Sequence, residues 1–346
     1  MSSAGSVYAR TTEGIPGFLS EAGPTPAKWL SREQAIMGTS IRVELWHEDP
    51  MMGEAAMAAV MEEMHRIDLA MSPFKPESEL SRLNREAAKA PVRISEEMFE
   101  LLARSIEFSK LSEGAFDITF ASVGCMFDYR KGIKPTAEEI AAALPGIDYR
   151  HIRLDRRRCT IEFARDDVRI DLGGIAKGYA VDNCVALLKT RGVKEALVSA
   201  GGDSRVLGDK RGRPWMIGIR DPRRKDAVVA MIPLVDAAIS TSGDYERYFE
   251  ADGVRYHHIL DPRTGLSATG ARSVSIVGPD ATTTEGISKS VFVMGLERGI
   301  RFVESLPGID AVIIDGDGKM HYTAGLRRES PQWTAGKAGV SGGGYA

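Results

Sequence analysis

The sequence predicts one α+β domain, and three observations support this class. Short strand-like segments occur in clusters with a few helices between them, so the chain lacks the repeating βα units of a doubly wound sheet. Of the 346 residues 43% are apolar, which is enough for a sizeable core. No segment repeats another. We therefore expect mixed or antiparallel sheets with packed helices over residues 32–330.

The first predicted elements are a strand and two amphipathic helices. Residues 39–46 (TSIRVELW) alternate apolar and polar side chains, as a half-buried strand does. In residues 53–72 methionine, valine and isoleucine recur at the three-and-four spacing of one helix face. A second helix begins after Ser95, a good N-cap, and ends at Gly114. We interpret its methionine and phenylalanine stripe as core packing.

The later part of the chain predicts one more helix among many strands. The helix covers residues 175–188 and follows short strands joined by polar turns. Six further segments have the composition of strands, several of them in hairpin spacing. They are EALVSAGGDSRVLG, WMIGIRDP, AVVAMIPL, DAAIST, SVSIVGP and DAVIIDGDGKMHY.

Charge and cysteine usage exclude several classes of protein. The 45 basic and 48 acidic residues are interspersed and give a net charge of −3, so no basic surface for nucleic acid is predicted. Cys125, Cys159 and Cys184 have neither disulfide-framework nor zinc-ligand spacing, and we expect buried or neutral thiols.

Both ends of the chain are poor in apolar residues. Residues 1–31 and the glycine-rich residues 331–346 are expected to lack a fixed fold. The first segment has no apolar signal region and no lipid-attachment cysteine, and nowhere do 18 uncharged apolar residues follow one another. The sequence therefore predicts a cytoplasmic protein without a transmembrane segment.

Four glycine-rich segments combine tight turns with polar side chains. They are DLGGIAKGYAVD (171–182), SAGGD (199–203), STSGDYERYF (240–249) and HHILDPRTG (257–265). In the first, a strand ends at Asp171, turns through Gly173 and Gly174, and enters a helix whose free N–H groups suit a phosphate. A tight turn that needs glycine only for its positive φ accounts for the segment equally well. Neither the Gly-x-Gly-x-x-Gly pattern nor the Walker pattern occurs.

Seven motifs in order connect these segments to a known family. They are MGT (37–39), MSPFKPESELSRLN (71–84), GAFDIT (114–119), DLGGIAKGYAVD (171–182), GGD (201–203), STSGDYERYF (240–249) and HHILDPRTG (257–265). Together, over residues 36–326, they resemble the FAD:protein FMN transferases, the ApbE-like flavin transferases. Each motif alone is a weak signal, but chance does not produce seven in this order. The resemblance implies a single T-fold-related α+β domain.

The resemblance also implies a reaction. Such proteins use Mg²⁺ to transfer FMN from FAD to a threonine or serine hydroxyl of an acceptor flavoprotein, and they release AMP. The site must neutralise charge on the phosphate oxygens and place the hydroxyl in line with the phosphorus. Residues at matching positions hold FAD. They are Met37, Phe74, Ala115, Phe116, Asp117, Asp171, Lys177 and Leu260.

Three of the matched positions carry specific expectations. Phe74 falls where an aromatic ring stacks on the flavin or adenine. Lys177 is a natural partner for the pyrophosphate, although an exposed helix lysine is the simpler interpretation. His258 matches a histidine beside the flavin that acts as a base or orients its loop. We assign His258 and Asp171 to the catalytic set, and we expect Asp203, Asp244 and Asp261 to order turns.

The metal segment is where this chain departs from the family. Similar proteins usually show Asp-Ala-x-Ser/Asp-Thr, in which the aspartate, the threonine and a carbonyl at the position of Gly174 coordinate Mg²⁺. Here Glu285 and Lys289 replace the aspartate and the threonine, while Ser288 can still supply an oxygen. A protonated lysine cannot coordinate a hard cation.

Two interpretations of this segment stay open. On a helix that begins near Thr284, Glu285 and Lys289 share a face and can form an i,i+4 ion pair behind a threonine cap. Alternatively, the Lys289 ammonium occupies the place of the Mg²⁺ ion and pairs with Glu285 and with the FAD pyrophosphate. The site would then stabilise the transition state less well.

Three functions follow from these interpretations. The first is an active FMN transferase with an unusual metal site, and the second is a flavin-binding protein that has lost transfer. The third is a Mg²⁺-dependent FAD pyrophosphatase, in which water replaces the acceptor hydroxyl.

Overall fold

The computed structural model describes residues 28–224, 227–327 and 333–334 and confirms the α+β class. The helices are α1 (Pro50–Met71), α2 (Glu79–Glu86), α3 (Glu96–Leu111), α4 (Ala121–Gly124), α5 (Ala137–Ala143), α6 (Ala176–Thr190), α7 (Ala281–Met294), α8 (Leu296–Glu304) and α9 (Ala324–Arg327). Short 3₁₀ turns cover Ile118–Phe120, Leu144–Gly146 and Tyr149–His151. The strands are β1 (Lys28–Ile36), β2 (Thr39–His47), β3 (Val92–Arg93), β4 (Ile152–Asp155), β5 (Thr160–Phe163), β6 (Ala196–Ala200), β7 (Asp203–Leu207), β8 (Trp215–Arg220), β9 (Val228–Val235), β10 (Ala238–Gly243), β11 (Tyr248–Ala251), β12 (Val254–His257), β13 (Ser273–Gly278), β14 (Asp310–Ile314), β15 (Met320–Tyr322) and β16 (Trp333–Thr334).

An eight-stranded antiparallel sheet organises the described part of the chain. Its strand order is β1-β2-β6-β7-β10-β13-β14-β15. Because successive side chains of a strand point to opposite faces, neighbours such as Ile276 and Val277 on β13 enter different cores. The larger core lies under α1, α3, α6 and α7, and the smaller one lies against β8 and β9. The sheet is therefore covered on both faces.

The predicted helices form, with differences at their ends. The helix predicted over 53–72 is α1, which begins at Pro50 because Asp49 accepts hydrogen bonds from the first free N–H groups. Ser95 caps α3 as predicted. The third predicted helix is α6. Strand β1 and the β11–β12 hairpin were not predicted.

The predicted chain ends require a correction. Strand β1 begins at Lys28, so residues 28–31 pair with β2 and do not belong to a structureless extension. Within the predicted glycine-rich tail, Trp333–Thr334 pairs in parallel with β9. Residues 1–27 and 335–346 lie outside the described residues. Among the described helices, none is long and apolar enough to cross a membrane.

Candidate active site

Helix α7 carries the segment that the sequence identified as unusual, and it is buried on nearly every side. Twelve of its fourteen residues are buried. Its N-cap is Asp280, which accepts a hydrogen bond from the N–H of Thr283 at 2.8 Å. A second carboxylate, Asp182 of α6, accepts from the N–H groups of Ala281 and Thr282 at 2.9 and 2.8 Å. These bonds fix the start of α7 against α6.

The close contact between α6 and α7 depends on Gly178. A Cβ atom at this position would lie 2.3 Å from the carbonyl oxygen of Ala281, so a larger residue would push the helices apart. The short distance also lets the N–H of Gly178 donate to Oε2 of Glu285 at 2.7 Å. The glycine thus brings α6 backbone to a buried carboxylate of α7.

Lys177 lies between two buried carboxylates. Its Nζ pairs with Oδ2 of Asp203 at 2.7 Å and also with Oε1 of Glu285. Glu285 is fully buried and Asp203 is 2% exposed. Burial raises the pKa of Glu285. Burial alone would lower the pKa of Lys177, but the two negative charges outweigh it and raise that pKa, so the lysine stays protonated.

Lys289 lies on α7 one turn after Glu285, and its partner is not a carboxylate. Its Nζ donates to Oγ of Ser242 at 2.8 Å, and this serine also shares a hydrogen bond of 2.8 Å with Ser288. Ser288 in turn donates to the backbone carbonyl of Glu285 at 2.8 Å. Burial and the charge of Lys177 lower the pKa of Lys289. Strand β10 therefore supplies the hydroxyl that orients the ammonium.

The glycine turn before α6 reaches the same place. The N–H of Gly173 donates to Oδ1 of Asp171 at 2.5 Å. A Cβ on Gly174 would lie 3.6 Å from Cγ of Lys289 and 3.3 Å from the ring of Phe116, so the turn lies directly over the lysine stem. Burial raises the pKa of Asp171, which makes this carboxylate more basic than an exposed one.

His258 completes the polar cluster around α7. The other members of this cluster are Asp171, Lys177, Asp203, Ser242, Arg247, Glu285, Ser288 and Lys289. Its backbone N–H donates to the carbonyl of Arg247 at 3.1 Å, and its Nδ1 is buried without a hydrogen-bond partner among the described residues. Burial, followed by the positive charges of Lys289 and Arg247, lowers its pKa well below the usual value of 6.5. The imidazole is consequently neutral near pH 7.

Comparison with known proteins identifies the family of this chain. A sequence model of the ApbE family matches residues 37–313. The chain belongs to the ApbE family. It is 32% identical to an FAD:protein FMN transferase of Treponema pallidum, over 90% of this chain and 91% of that protein.

Solved structures of the ApbE family agree with this assignment. The ApbE protein of Thermotoga maritima is 35% identical, with a TM-score of 0.80 over 86% of this chain and 97% of that one. The flavin transferase ApbE of Vibrio cholerae is 29% identical, with a TM-score of 0.77 over 86% of this chain and 98% of that one.

The positions that the sequence resemblance predicted to hold FAD fall into two groups. Asp171, Lys177 and Phe116 belong to the cluster around α7. Met37, in the β1–β2 turn, packs against the main core, and the next residue, Gly38, lies near Arg247, whose Nη2 is 3.3 Å from the place of a Cβ on that glycine. The second group makes its contacts outside this cluster. Its members are Phe74, Ala115, Asp117 and Leu260.

Each residue of the second group has its own environment. Phe74 is 85% exposed, which leaves its ring free for stacking. Ala115 is buried in the main core, and Leu260 packs in a small core with Val123 and Phe127. Asp117 already accepts hydrogen bonds from Thr119 and from the N–H of Tyr149, so its carboxylate orders the 3₁₀ turn.

The structure corrects two expectations about the metal segment. The predicted ion pair between Glu285 and Lys289 does not form, because Lys177 takes the glutamate and Ser242 takes the lysine. The helix also begins at Ala281 after Asp280, not near Thr284 behind a threonine cap. The local i,i+4 interaction has been replaced by contacts from α6 and β10.

Sequence reasoning missed three members of the cluster, namely Asp203, Ser242 and Arg247. The sequence predicts that Asp203 only orders a turn, yet it pairs with Lys177. Asp244 and Asp261 carry the same prediction: Asp244 pairs with Arg223 of the β8–β9 loop, and Asp261 pairs with Arg263 of its own loop. Ser242 and Arg247 lie in STSGDYERYF, a segment that stands out for its glycine and not for these side chains. The useful signal was the position of Asp203 directly after two glycines in a predicted hairpin.

The residues at this position do not fit a magnesium ion. Mg²⁺ needs several oxygen ligands in octahedral geometry. Both oxygens of Glu285 are held by Lys177 and Gly178, and the hydroxyl of Ser288 already donates to a carbonyl. The ammonium of Lys289 is in the same cluster. Within residues 28–224 and 227–327, no group of three His, Cys, Asp or Glu side chains could hold a metal ion.

Proposed function

We propose that this chain is an FAD:protein FMN transferase, which moves FMN from FAD to a threonine or serine hydroxyl of an acceptor flavoprotein and releases AMP. The observation that carries the proposal is its 32% identity with a protein of that name over nine-tenths of both chains. The cluster around α7 supports it, because lysines and a glycine turn before a helix suit a pyrophosphate.

The chemistry assigns a task to each side chain. The acceptor oxygen bonds to the FMN-side phosphorus, the bond from this phosphorus to the bridging oxygen breaks, and AMP leaves with the electron pair. The acceptor hydroxyl loses a proton, and neutral His258 is the proposed base because its Nδ1 is free of other partners among the described residues. Asp171 is the second candidate, since burial makes it more basic.

Binding of FAD divides between the two groups of matched residues. Lys177, Lys289 and the N–H of Gly174 are proposed to face the pyrophosphate. Phe74 is proposed to stack on an aromatic ring of FAD, and Met37 and Phe116 to border the flavin. Ala115, Asp117 and Leu260 are proposed to support the FAD site from behind through their buried contacts.

A second candidate is a flavin-binding protein without transfer activity. The cluster of Lys177, Glu285 and Lys289 favours it, because an ammonium is a monovalent point charge and a poorer stabiliser of a phosphoryl transition state than Mg²⁺. This candidate predicts FAD binding without AMP release. Mg²⁺-dependent hydrolysis of FAD is not favoured by the donor set.

One experiment separates these functions. The purified protein is incubated with FAD and a flavodoxin-type acceptor domain that carries a target threonine, and intact mass and AMP are measured. A mass gain equal to an FMN group, with equimolar AMP, is the expected result. AMP without a mass gain would indicate hydrolysis, and bound FAD with neither product would indicate the second candidate. An acceptor with its target threonine replaced by alanine is the control.

A further inference from the structure

We propose that the Lys289 ammonium is the fixed cation of this site, so that the chain holds the pyrophosphate of FAD without a divalent metal ion. The inference rests on the proposed function, because it assumes that FAD is the ligand. It is carried by the different partners of the two lysines in the cluster.

Lys177 is already paired with two carboxylates of the protein. It pairs with Asp203 at 2.7 Å and with Glu285, both of them buried carboxylates. The second oxygen of Glu285 accepts from the N–H of Gly178 at 2.7 Å. Lys177 therefore already balances one of the two negative charges that a divalent ion would need, and both oxygens of Glu285 are held by donors of the chain.

Lys289 has no such ion pair with a carboxylate among the described residues. Among the described residues no carboxylate lies within ion-pair distance of its Nζ, and its hydrogen bond goes to the hydroxyl of Ser242. An ammonium has three N–H donors, so two remain for a ligand. The stem of Lys289 passes under Gly174, where the turn before α6 presents its backbone. An anion at that turn would meet both the N–H of Gly174 and the ammonium of Lys289.

A divalent ion at the same place would meet unfavourable groups. It would lie beside the ammonium of the half-buried Lys289, and like charges repel each other. The oxygen donors nearest to Lys289 are hydroxyls that already bond to each other and to a carbonyl. A phosphate anion has the opposite preference, since it accepts hydrogen bonds and is attracted to the lysine.

The test is FAD binding measured by flavin fluorescence, once with EDTA and once with Mg²⁺. The parent protein is expected to give Kd values that agree within about twofold, whereas Lys289→Met weakens FAD at least about tenfold in both buffers. Lys189→Met, which removes an exposed lysine from the end of α6, is the matched control and leaves Kd unchanged. ADP should lose affinity with Lys289→Met as FAD does, but riboflavin should not, because it lacks the pyrophosphate.

A second measurement follows the metal directly. Mn²⁺ binding, recorded by its electron paramagnetic resonance signal, should be absent in the parent and should appear with one ion per chain in the double variant Glu285→Asp, Lys289→Thr. Stoichiometric Mn²⁺ binding by the parent, or FAD binding that needs Mg²⁺, would overturn the inference and leave the proposed function intact. Failure of the parent to bind FAD in either buffer would overturn both.

Discussion

Two cations of the molecule each pair with two carboxylates, Arg66 near the surface and Lys177 in the interior. The two clusters differ in their exposure to solvent and in the pKa values of their carboxylates. Near the surface, Arg66 of α1 bonds to Glu63 and Glu97 at 2.6–2.8 Å, and Tyr179 of α6 also donates to Glu97. The arginine side chain is 47% exposed. In the interior, Lys177 bonds to Asp203 and Glu285, of which the latter is fully buried.

The pKa values show the consequence of the difference in solvation. At the surface, hydrogen bonds from Arg66 outweigh desolvation and lower the pKa of both Glu63 and Glu97. In the interior desolvation dominates and raises the pKa of Glu285. The interior cluster thus places charged groups in a buried position, where apolar side chains would stabilise the fold as well or better. Buried charged groups with shifted pKa values are typical of a functional site.

The largest expected effect is the loss of the interior cation. Lys177→Met leaves two buried carboxylates without their partner, and we expect it to lower the free energy of unfolding by about 3–5 kcal/mol. Urea denaturation measures this change. Lys177→Met combined with Glu285→Gln should recover part of the loss, because it removes one of the uncompensated charges. Equal stability of the single variant and the parent would show that the interior cluster is energetically like the surface one.

A smaller effect is expected from separating α6 and α7. Gly178→Ala places a methyl group 2.3 Å from the carbonyl oxygen of Ala281, and overpacking of this kind costs about 1–3 kcal/mol. Because Lys177 is the preceding residue, FAD binding should weaken together with stability. Gly316→Ala is the control, since nothing lies within 4 Å of a Cβ at that position and its φ is not positive. A Gly178→Ala protein that matches this control would contradict the helix-contact argument.

Asp171→Ala tests whether the glycine turn belongs to the binding site. Without the carboxylate the N–H of Gly173 loses its acceptor, and the turn loses the conformation that presents its backbone to FAD. We expect FAD affinity to fall about tenfold, which corresponds to about 1.4 kcal/mol. Equilibrium dialysis with FAD measures the change. The exposed Asp166, replaced by alanine, is the matched control, and equal affinity of the two variants would remove Asp171 from the site.

The sequence predicted the parts of this molecule that local patterns determine. Helices α1 and α3 follow from apolar periodicity, and Ser95 follows from the preference for serine at an N-cap. The glycine turn before α6 was also recognised, because paired glycines at a strand end are typical of a tight turn. The ordered motifs then identified the family, although none of them fixed the partner of a particular side chain.

Long-range contacts account for the predictions that were wrong. The pairing of Glu285 with Lys289 is what helix spacing predicts, but Lys177 approaches from a helix more than a hundred residues earlier. The start of α7 depends in the same way on Asp182, which bonds to two of its first N–H groups. Asp203 joins the cluster around α7 only because the β6–β7 turn brings it to Lys177. No local pattern records such distances.

The smallest expected effect concerns the surface cluster. Arg66→Met should lower the free energy of unfolding by less than about 1 kcal/mol near neutral pH, because exposed ion pairs are screened by solvent. The pKa values of Glu63 and Glu97 are lowered in the folded chain, so their contribution is present above the unfolded value of 4.5 and is lost as the pH falls through the folded values. Stability curves of Arg66→Met and the parent, measured by urea denaturation at several pH values, should therefore converge in acid. A loss as large as that of Lys177→Met, or one that persists in acid, would mean that Arg66 acts through packing of its stem and not through its charge.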